Sequence, residues 1–187
     1  MPHASASDAV PGRPTRRRAH ALELVLADID DAAVRRRWAL LEEAGVPSAA
    51  RHTGPTHRPH VTLASGPPPP APVLRTAAEV FAPLLPLDLP VHGLGLLGRP
   101  GRAVLVELLA PPLPARAARD GLVDLWTGAD DRPWLPHVTL AQRLAPAVVA
   151  AALTALGEQP GSGASVRRAV GLRWWDPDRG VVTPVVG

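Results

Sequence analysis

Polar and apolar residues follow two different periods along this chain of 187 residues. Alternation with a period of two predicts β-strands, and apolar residues that recur every three or four positions predict helices. The predicted strands are residues 20–28, 58–65, 85–98, 102–110, 132–143, 165–175 and 180–186. The predicted helices are residues 30–45, 73–84, 114–128 and 145–158. This order indicates a duplicated α+β unit and not a doubly wound parallel sheet.

The first predicted helix has recognisable signals at both ends. Asp28 or Asp30 is of the residue type that caps a helix N-terminus, and Gly45 stands where a C-terminal cap belongs. Trp38 lies on the apolar stripe between them, and we expect it to pack in the core. Trp126 is expected in the core as well.

Two segments carry too much proline or polarity to belong to a core. Residues 66–72, GPPPPAP, cannot lie inside a helix or strand because proline lacks an N–H and fixes φ. A stiff connector is the preferred interpretation, and a polyproline ligand for a partner domain is the alternative. Residues 1–18 are predicted to be a disordered basic tail, since acidic residues interrupt the apolar stretch that an export signal would need. Residues 19–187 then form one domain, with lobes of roughly 19–85 and 86–187.

Composition narrows the protein class. The absence of cysteine excludes disulfides and thiolate metal ligands and fits a reducing compartment, so we expect a cytoplasmic protein. No apolar run approaches the ~20 residues of a membrane-spanning helix, and we expect no membrane association. All basic residues are arginine, yet the net charge is only +3 and aromatic residues are few, which favours a small nucleotide or an RNA end over a long duplex as partner.

The word PHVTLA occurs twice, at residues 59–64 and 136–141. Histidine is scarce, with seven in the chain, and two of them occupy the same place in this word. On a strand, His60 and Thr62 project from one face while the flanking apolar residues face the core, and His137 and Thr139 do the same. If the two strands lie together, two imidazoles and two hydroxyls share one surface.

This set of side chains suits attack at phosphorus. Because an imidazole has a pKa near 6.5, one histidine can act as the base while the other, protonated, acts as the acid. Threonine hydroxyls can donate hydrogen bonds to phosphate oxygens. Strand parity also places Arg58 beside His60 and Arg143 beside His137, unless a bulge intervenes, and arginine can neutralise phosphate charge.

The two His-x-Thr words resemble the signature of the 2H phosphoesterase superfamily. PHVTLA with an arginine soon after the second copy looks most like the 2′-5′ RNA ligase-like, or cyclic phosphodiesterase, branch, and the resemblance covers roughly residues 19–185. It implies a bilobal, pseudo-twofold α+β fold of antiparallel sheets flanked by helices, with a central cleft. It also implies cleavage of 2′,3′-cyclic or 2′-5′ linked phosphodiesters in a nucleotide or RNA end, without a metal or cofactor and without an obligate protein partner.

The resemblance assigns roles to the motif residues. His60 would protonate the leaving oxygen, His137 would activate the nucleophile, and Thr62 and Thr139 would hold the phosphate. Pseudo-symmetry makes the acid and base roles nearly interchangeable. The chain departs from the family motif at one arginine position. Many relatives have arginine where this chain has Gln142, and Arg143 follows one position later, which puts an inherited role for that arginine in doubt.

Base stacking in this chain would fall to tryptophan, because tyrosine is absent. Trp134, close to His137, is the main candidate, with Trp174 and Trp175 as others.

Two alternatives to a two-histidine phosphodiesterase stay open. A metal site could use His52, His57 and His60 with His137, but no nearby carboxylate or cysteine completes the ligand set. The chain could also keep the fold and bind a nucleotide or RNA end without turnover.

Overall fold

The computed structural model describes residues 19–99, 101–157 and 165–187. The predicted tail at residues 1–18 lies outside the described residues. The strands are β1 (His20–Leu26), β2 (His60–Gly66), β3 (Leu87–Leu97), β4 (Ala103–Leu109), β5 (His137–Leu144), β6 (Val166–Asp176) and β7 (Val181–Val186). The helices are α1 (Asp28–Glu43), α2 (Ala71–Phe81), α3 (Leu113–Leu125) and α4 (Pro146–Gly157). The predicted order of elements and the α+β fold class are confirmed.

The strands form one antiparallel sheet that closes on itself. Its order is β1-β2-β5-β4-β3-β6-β7, and β1 also pairs with β6, so six strands make a ring. The ring is thinnest between β2 and β5, where Val61 opposite Val138 is the one paired position. Strands β1 and β2 lie with the β6–β7 hairpin on one side of this junction, and β3, β4 and β5 lie on the other. The C-terminal hairpin therefore completes the half of the sheet that the N-terminal strands begin.

Helix α1 shows how the sequence pattern becomes packing, and where one expectation fails. Val34, Trp38 and Leu41 are buried, which confirms the predicted apolar stripe, and Gly45 follows the helix end with φ of +73°. The expected cap by Asp28 or Asp30 is wrong, because Ala27 occupies the N-cap position and no side chain caps the helix. The Asp30 carboxylate instead accepts the backbone N–H of Arg168 on β6, at 3.0 Å.

A buried ion network joins α1, β4 and β6. Glu107 is fully buried and accepts hydrogen bonds from Arg37 at 2.5 Å and from Arg167 at 2.8 Å on each of its oxygens. Burial alone would raise the pKa of Glu107, but the bonds and charges of Arg167 and Arg37 outweigh it and lower that pKa below its usual range. The network fixes the helix to strands that belong to both sides of the ring.

No helix in the described parts of the chain is long and apolar enough to cross a membrane.

Candidate active site

The two copies of PHVTLA meet at the junction of β2 and β5. Val61 lies opposite Val138 in antiparallel register. Continuing that register by one residue on each side places His60 opposite Thr139 and Thr62 opposite His137, all on the same face of the sheet. The structure therefore brings the four predicted catalytic residues together, each histidine beside the threonine of the other copy.

The other residues of each PHVTLA word face the core, except for the proline, which directly precedes the strand. Val61, Leu63 and Ala64 are buried, as are Val138, Leu140 and Ala141. The histidines and threonines between them are partly exposed. This alternation is what the period of two predicted, and it anchors the reactive face on a rigid apolar layer.

Both imidazoles are held by the same local bond. The Nδ1 atom of His60 lies 2.8 Å from the carbonyl oxygen of Arg58, and Nδ1 of His137 lies 2.7 Å from that of Leu135. A carbonyl oxygen can only accept, so Nδ1 carries the proton and donates in both rings. In its neutral form each histidine thus offers a bare Nε2 as base, and in its protonated form an Nε2–H as acid. The proline of the word lies between each carbonyl and its histidine, and its fixed φ restricts the turn that forms this bond.

Two tryptophans support the threonines in matching positions. The Trp134 indole N–H donates to the backbone oxygen of Thr62 at 2.9 Å, and the Trp38 indole N–H donates to that of Thr139 at 3.0 Å. Trp38 and Trp126 are buried, which confirms their expected core packing. Trp134 is partly exposed, and its stacking role stays a prediction.

A cavity of about 450 Å³ opens beside Thr62 and His137. Its lining combines apolar, basic and hydroxyl groups, contributed by Thr62, Leu63, Ala64, Ser65, Leu97, Arg119, Asp130, Arg132, Pro133, Trp134, Leu135 and His137. Its size falls in the range of small-molecule sites. Of the predicted site residues, Thr62, Trp134 and His137 line it.

Arg119 of α3 binds the loop that forms the cavity wall, and sequence reasoning did not identify it. Its buried guanidinium donates to the backbone oxygen of Leu63 on β2 at 3.4 Å and to those of Asp130 and Arg132 at 3.3 Å. The Arg132 side chain in turn lowers the pKa of Asp130 to about 2, chiefly by hydrogen bonding to its carboxylate. The loop that carries Trp134 is thereby fixed to β2.

The two predicted arginines lie away from this cavity. The Arg58 guanidinium donates to Asp31 at 3.1 Å and to the Leu26 carbonyl at 3.2 Å, and it lines a separate groove of about 300 Å³ against β6 and β7. Parity does not reach Arg58, because β2 begins only at His60. Arg143 is exposed with φ of +58°, and β5 carries an extra residue there relative to β4, so its parity with His137 is interrupted. A substrate contact by either arginine stays a prediction.

His57, one histidine of the alternative metal site, is held by contacts with other residues. His57 stacks on Trp38 with ring centroids 5.2 Å apart, and its Nε2 lies 2.9 Å from the Ala49 carbonyl oxygen. Burial lowers the pKa of His57.

Within the described ranges, His20, Asp176 and Asp178 form the one cluster of potential ligands close enough to share an ion. Asp176 there accepts the backbone N–H groups of Asp178 and Arg179, as expected of a residue that orders the hairpin turn. Trp174, a stacking candidate, packs on His20 with ring centroids 5.8 Å apart.

Glu23 is a second residue that sequence reasoning did not select. It lies on β1 opposite Thr62, and its Oε1 is 3.4 Å from Nε2 of His60. The available signal was a charge in the middle of an apolar strand, HALELVLAD.

The geometry presents two imidazoles, each anchored through Nδ1, and two hydroxyls on one face, which is an acid–base pair with hydrogen-bond donors between its members. A comparison with protein families matches residues 30–179 to the 2′-5′ RNA ligase superfamily. A comparison with curated proteins gives no match. The matched region contains both PHVTLA copies and most of the sheet that holds them. The chain therefore belongs to the 2′-5′ RNA ligase superfamily of 2H phosphoesterases.

Proposed function

We propose that the protein is a metal-independent phosphodiesterase acting on 2′,3′-cyclic phosphates or 2′-5′ linked phosphodiesters of a nucleotide or RNA end. The observation that carries this proposal is the antiparallel register of the two PHVTLA words, with both imidazoles anchored through Nδ1. Membership of a superfamily that is generally catalytic supports it. All four motif residues are present and lie on one face of the β2–β5 junction, which also supports the proposal.

The spacing of the imidazoles fits one phosphate group. His60 and His137 are diagonal neighbours in the register, which in antiparallel sheets corresponds to roughly 7–8 Å between the positions. A phosphate placed between them can take hydrogen bonds from the Thr62 and Thr139 hydroxyls on its non-bridging oxygens. These donors stabilise the charge that accumulates on the phosphate during attack.

The reaction then proceeds with both histidines in use. Nε2 of His137 accepts a proton from water as the water oxygen forms a bond to phosphorus. The bond from phosphorus to the sugar oxygen opposite breaks, and Nε2–H of His60 gives its proton to that oxygen. One proton has moved from water to the departing alcohol, so the histidines return to their starting states after proton exchange.

The cavity beside His137 suggests where the nucleoside lies. Its volume of about 450 Å³ accommodates a nucleoside-sized group, and Trp134 and Leu97 offer apolar surface to a base. Arg132 and Ser65 offer donors to polar edges of the ligand. A small nucleotide or a single RNA end fits this arrangement better than a long duplex.

The test is turnover by purified protein, in EDTA, of a panel of 2′,3′-cyclic nucleotides, cyclic-phosphate-ended RNA and 2′-5′ dinucleotides. Variants His60→Ala and His137→Ala run alongside, with His92→Ala as matched control because His92 is exposed on β3 outside the motif. We expect turnover that survives EDTA, persists in the control and disappears in both motif variants. Binding of these ligands without turnover by the folded wild-type protein would contradict the proposal and favour a binding module.

A further inference from the structure

A buried carboxylate lies against one of the two histidines. Glu23 is 6% exposed, and its Oε2 accepts a hydrogen bond from Nε of Arg173 at 2.8 Å and forms an ion pair with Nη2 of the same guanidinium at 2.8 Å. Its other oxygen, Oε1, lies 3.4 Å from Nε2 of His60. That distance exceeds the ~2.7–2.9 Å of a charge-assisted hydrogen bond, so the contact is electrostatic and leaves an Nε2–H of His60 able to reach a substrate.

The second histidine has no such neighbour. The position on β4 that corresponds to Glu23 is Val106, since Val106 lies opposite Thr139 as Glu23 lies opposite Thr62. Val106 is buried and apolar. Among the residues that the structure describes, His60 has an ion-pair contact with a carboxylate and His137 has none. The pseudo-symmetry of the two words is thus broken at one pair of equivalent positions.

We propose that Glu23 is a positioning residue that commits His60 to the role of general acid and leaves His137 as the base. The inference rests on the proposed function and deepens it. The Glu23 oxygen lies 3.4 Å from Nε2 of His60, the atom that gives a proton to the leaving oxygen, and it can orient that ring and its N–H electrostatically.

The other charged groups near His60 have partners of their own. Arg173 on β6 bonds Oε2 of Glu23, and Oε1 is the oxygen that lies near the imidazole. Arg58, which precedes the strand, is paired with Asp31 of α1. His57 in the preceding loop has a pKa lowered by burial, which disfavours its charged form. Among the described residues, Glu23 is therefore the carboxylate in contact with the Nε2 atom of His60.

The leaving group distinguishes an acid from a base. Departure of a sugar oxygen requires a proton, whereas departure of 4-nitrophenolate does not. We therefore compare a 2′-5′ dinucleotide or 2′,3′-cyclic nucleotide with a nucleoside 4-nitrophenyl phosphodiester, for wild-type protein, Glu23→Gln, His60→Ala and His137→Ala. The reaction of each substrate is followed as kcat and kcat/KM across pH.

We expect Glu23→Gln to lower kcat about tenfold or more on the sugar-leaving substrate and to leave kcat on the nitrophenyl ester nearly unchanged. The pH profile of kcat for this variant should change on the sugar-leaving substrate and stay the same on the nitrophenyl ester. His60→Ala should show the same substrate dependence, and His137→Ala should lose activity on both.

Two further variants separate this role from a structural one. Glu23→Gln leaves the buried Arg173 without its charged partner. A double variant, Glu23→Val with Arg173→Leu, therefore removes both charges and copies Val106, the equivalent position on β4. Glu23→Asp keeps the charge and should restore part of the activity on the sugar-leaving substrate. Thermal melting identifies any variant that does not fold, in which case the folded double variant decides.

The outcomes of the two proposals are distinct. If the wild-type protein turns over none of these substrates, the proposed function is contradicted. If the wild-type protein is active but the folded Glu23 variants lose equal activity on both substrates, or keep the wild-type pH profile, Glu23 does not support the acid and this inference is overturned.

Discussion

Replacing Glu107 by Gln removes the charge at the centre of the buried network of Arg37, Glu107 and Arg167. Glu107 is fully buried, and both arginines bond its oxygens at 2.5–2.8 Å. Among the described residues, the variant leaves the Arg37 guanidinium without a counter-charge and leaves Arg167 with only Asp30, whose Oδ1 lies 3.6 Å from its Nη1. One amide N–H₂ then faces both guanidinium groups as a donor. Breaking a buried pair in this way costs about 3–5 kcal/mol of unfolding free energy. For a chain of this size the melting temperature should fall by roughly 6–20 °C.

The loss should depend on pH in a defined direction. The folded-state pKa of Glu107 lies below the usual value for a glutamate, since the bonds and charges of Arg167 and Arg37 outweigh burial. A carboxyl with a lowered folded pKa stabilises the fold above its unfolded pKa, and that contribution is lost as pH falls through the folded pKa. The stability gap between wild type and Glu107→Gln should therefore be full near neutral pH and narrow progressively below pH 4.5.

Urea unfolding followed by tryptophan fluorescence measures this gap. Asp88→Asn is the matched control, because Asp88 also pairs with an arginine, Arg168, but both side chains are exposed. We expect little change in the control. A loss under about 1 kcal/mol in Glu107→Gln, or a gap that does not narrow in acid, would refute this account of the network.

Five further substitutions, one of them a control, probe the site and its support. Thr62→Val and Thr139→Val should each lower kcat/KM about tenfold or more through loss of a hydrogen bond to a charged phosphate, and unchanged steady-state kinetics would contradict that role. Trp134→Phe removes the indole bond to Thr62 and should raise KM about two- to fivefold, whereas Trp126→Phe, whose indole N–H bonds no group among the described residues, should leave KM unchanged. Leu140→Ala should cost about 2–5 kcal/mol in urea unfolding because Leu140 is fully buried, and a cost near zero would show that the layer beneath the motif is not tightly packed.

The sequence was sufficient to predict the order of the helices and strands and the shared face of the four motif residues. Histidine is rare in the chain and recurs in one word, and a period of two fixes which letters share a face. These are local signals, and the predicted faces of His60 and Thr62 agree with the burial of Val61 and Leu63.

Residues whose position depends on distant parts of the chain could not be predicted in this way. Glu23 reaches His60 only because β1 pairs with β2, and Arg119 reaches the cavity wall only after α3 packs over β2. Arg143 illustrates a local failure, since an extra residue in β5 interrupts the parity that placed it beside His137. The N-cap prediction for α1 was wrong for a related reason, because the Asp30 carboxylate accepts the backbone N–H of Arg168, which is distant in the sequence.

If the two PHVTLA words serve one reaction, their histidines act as a pair. A double-variant experiment on His60 and His137 tests this most directly. Turnover of a 2′,3′-cyclic nucleotide is measured for His60→Ala, His137→Ala and the variant carrying both changes. If the histidines act as a pair, each single change should lower kcat at least about 100-fold, and the double change should lower it little further than the worse single change. Wild-type turnover in either single variant would contradict the account.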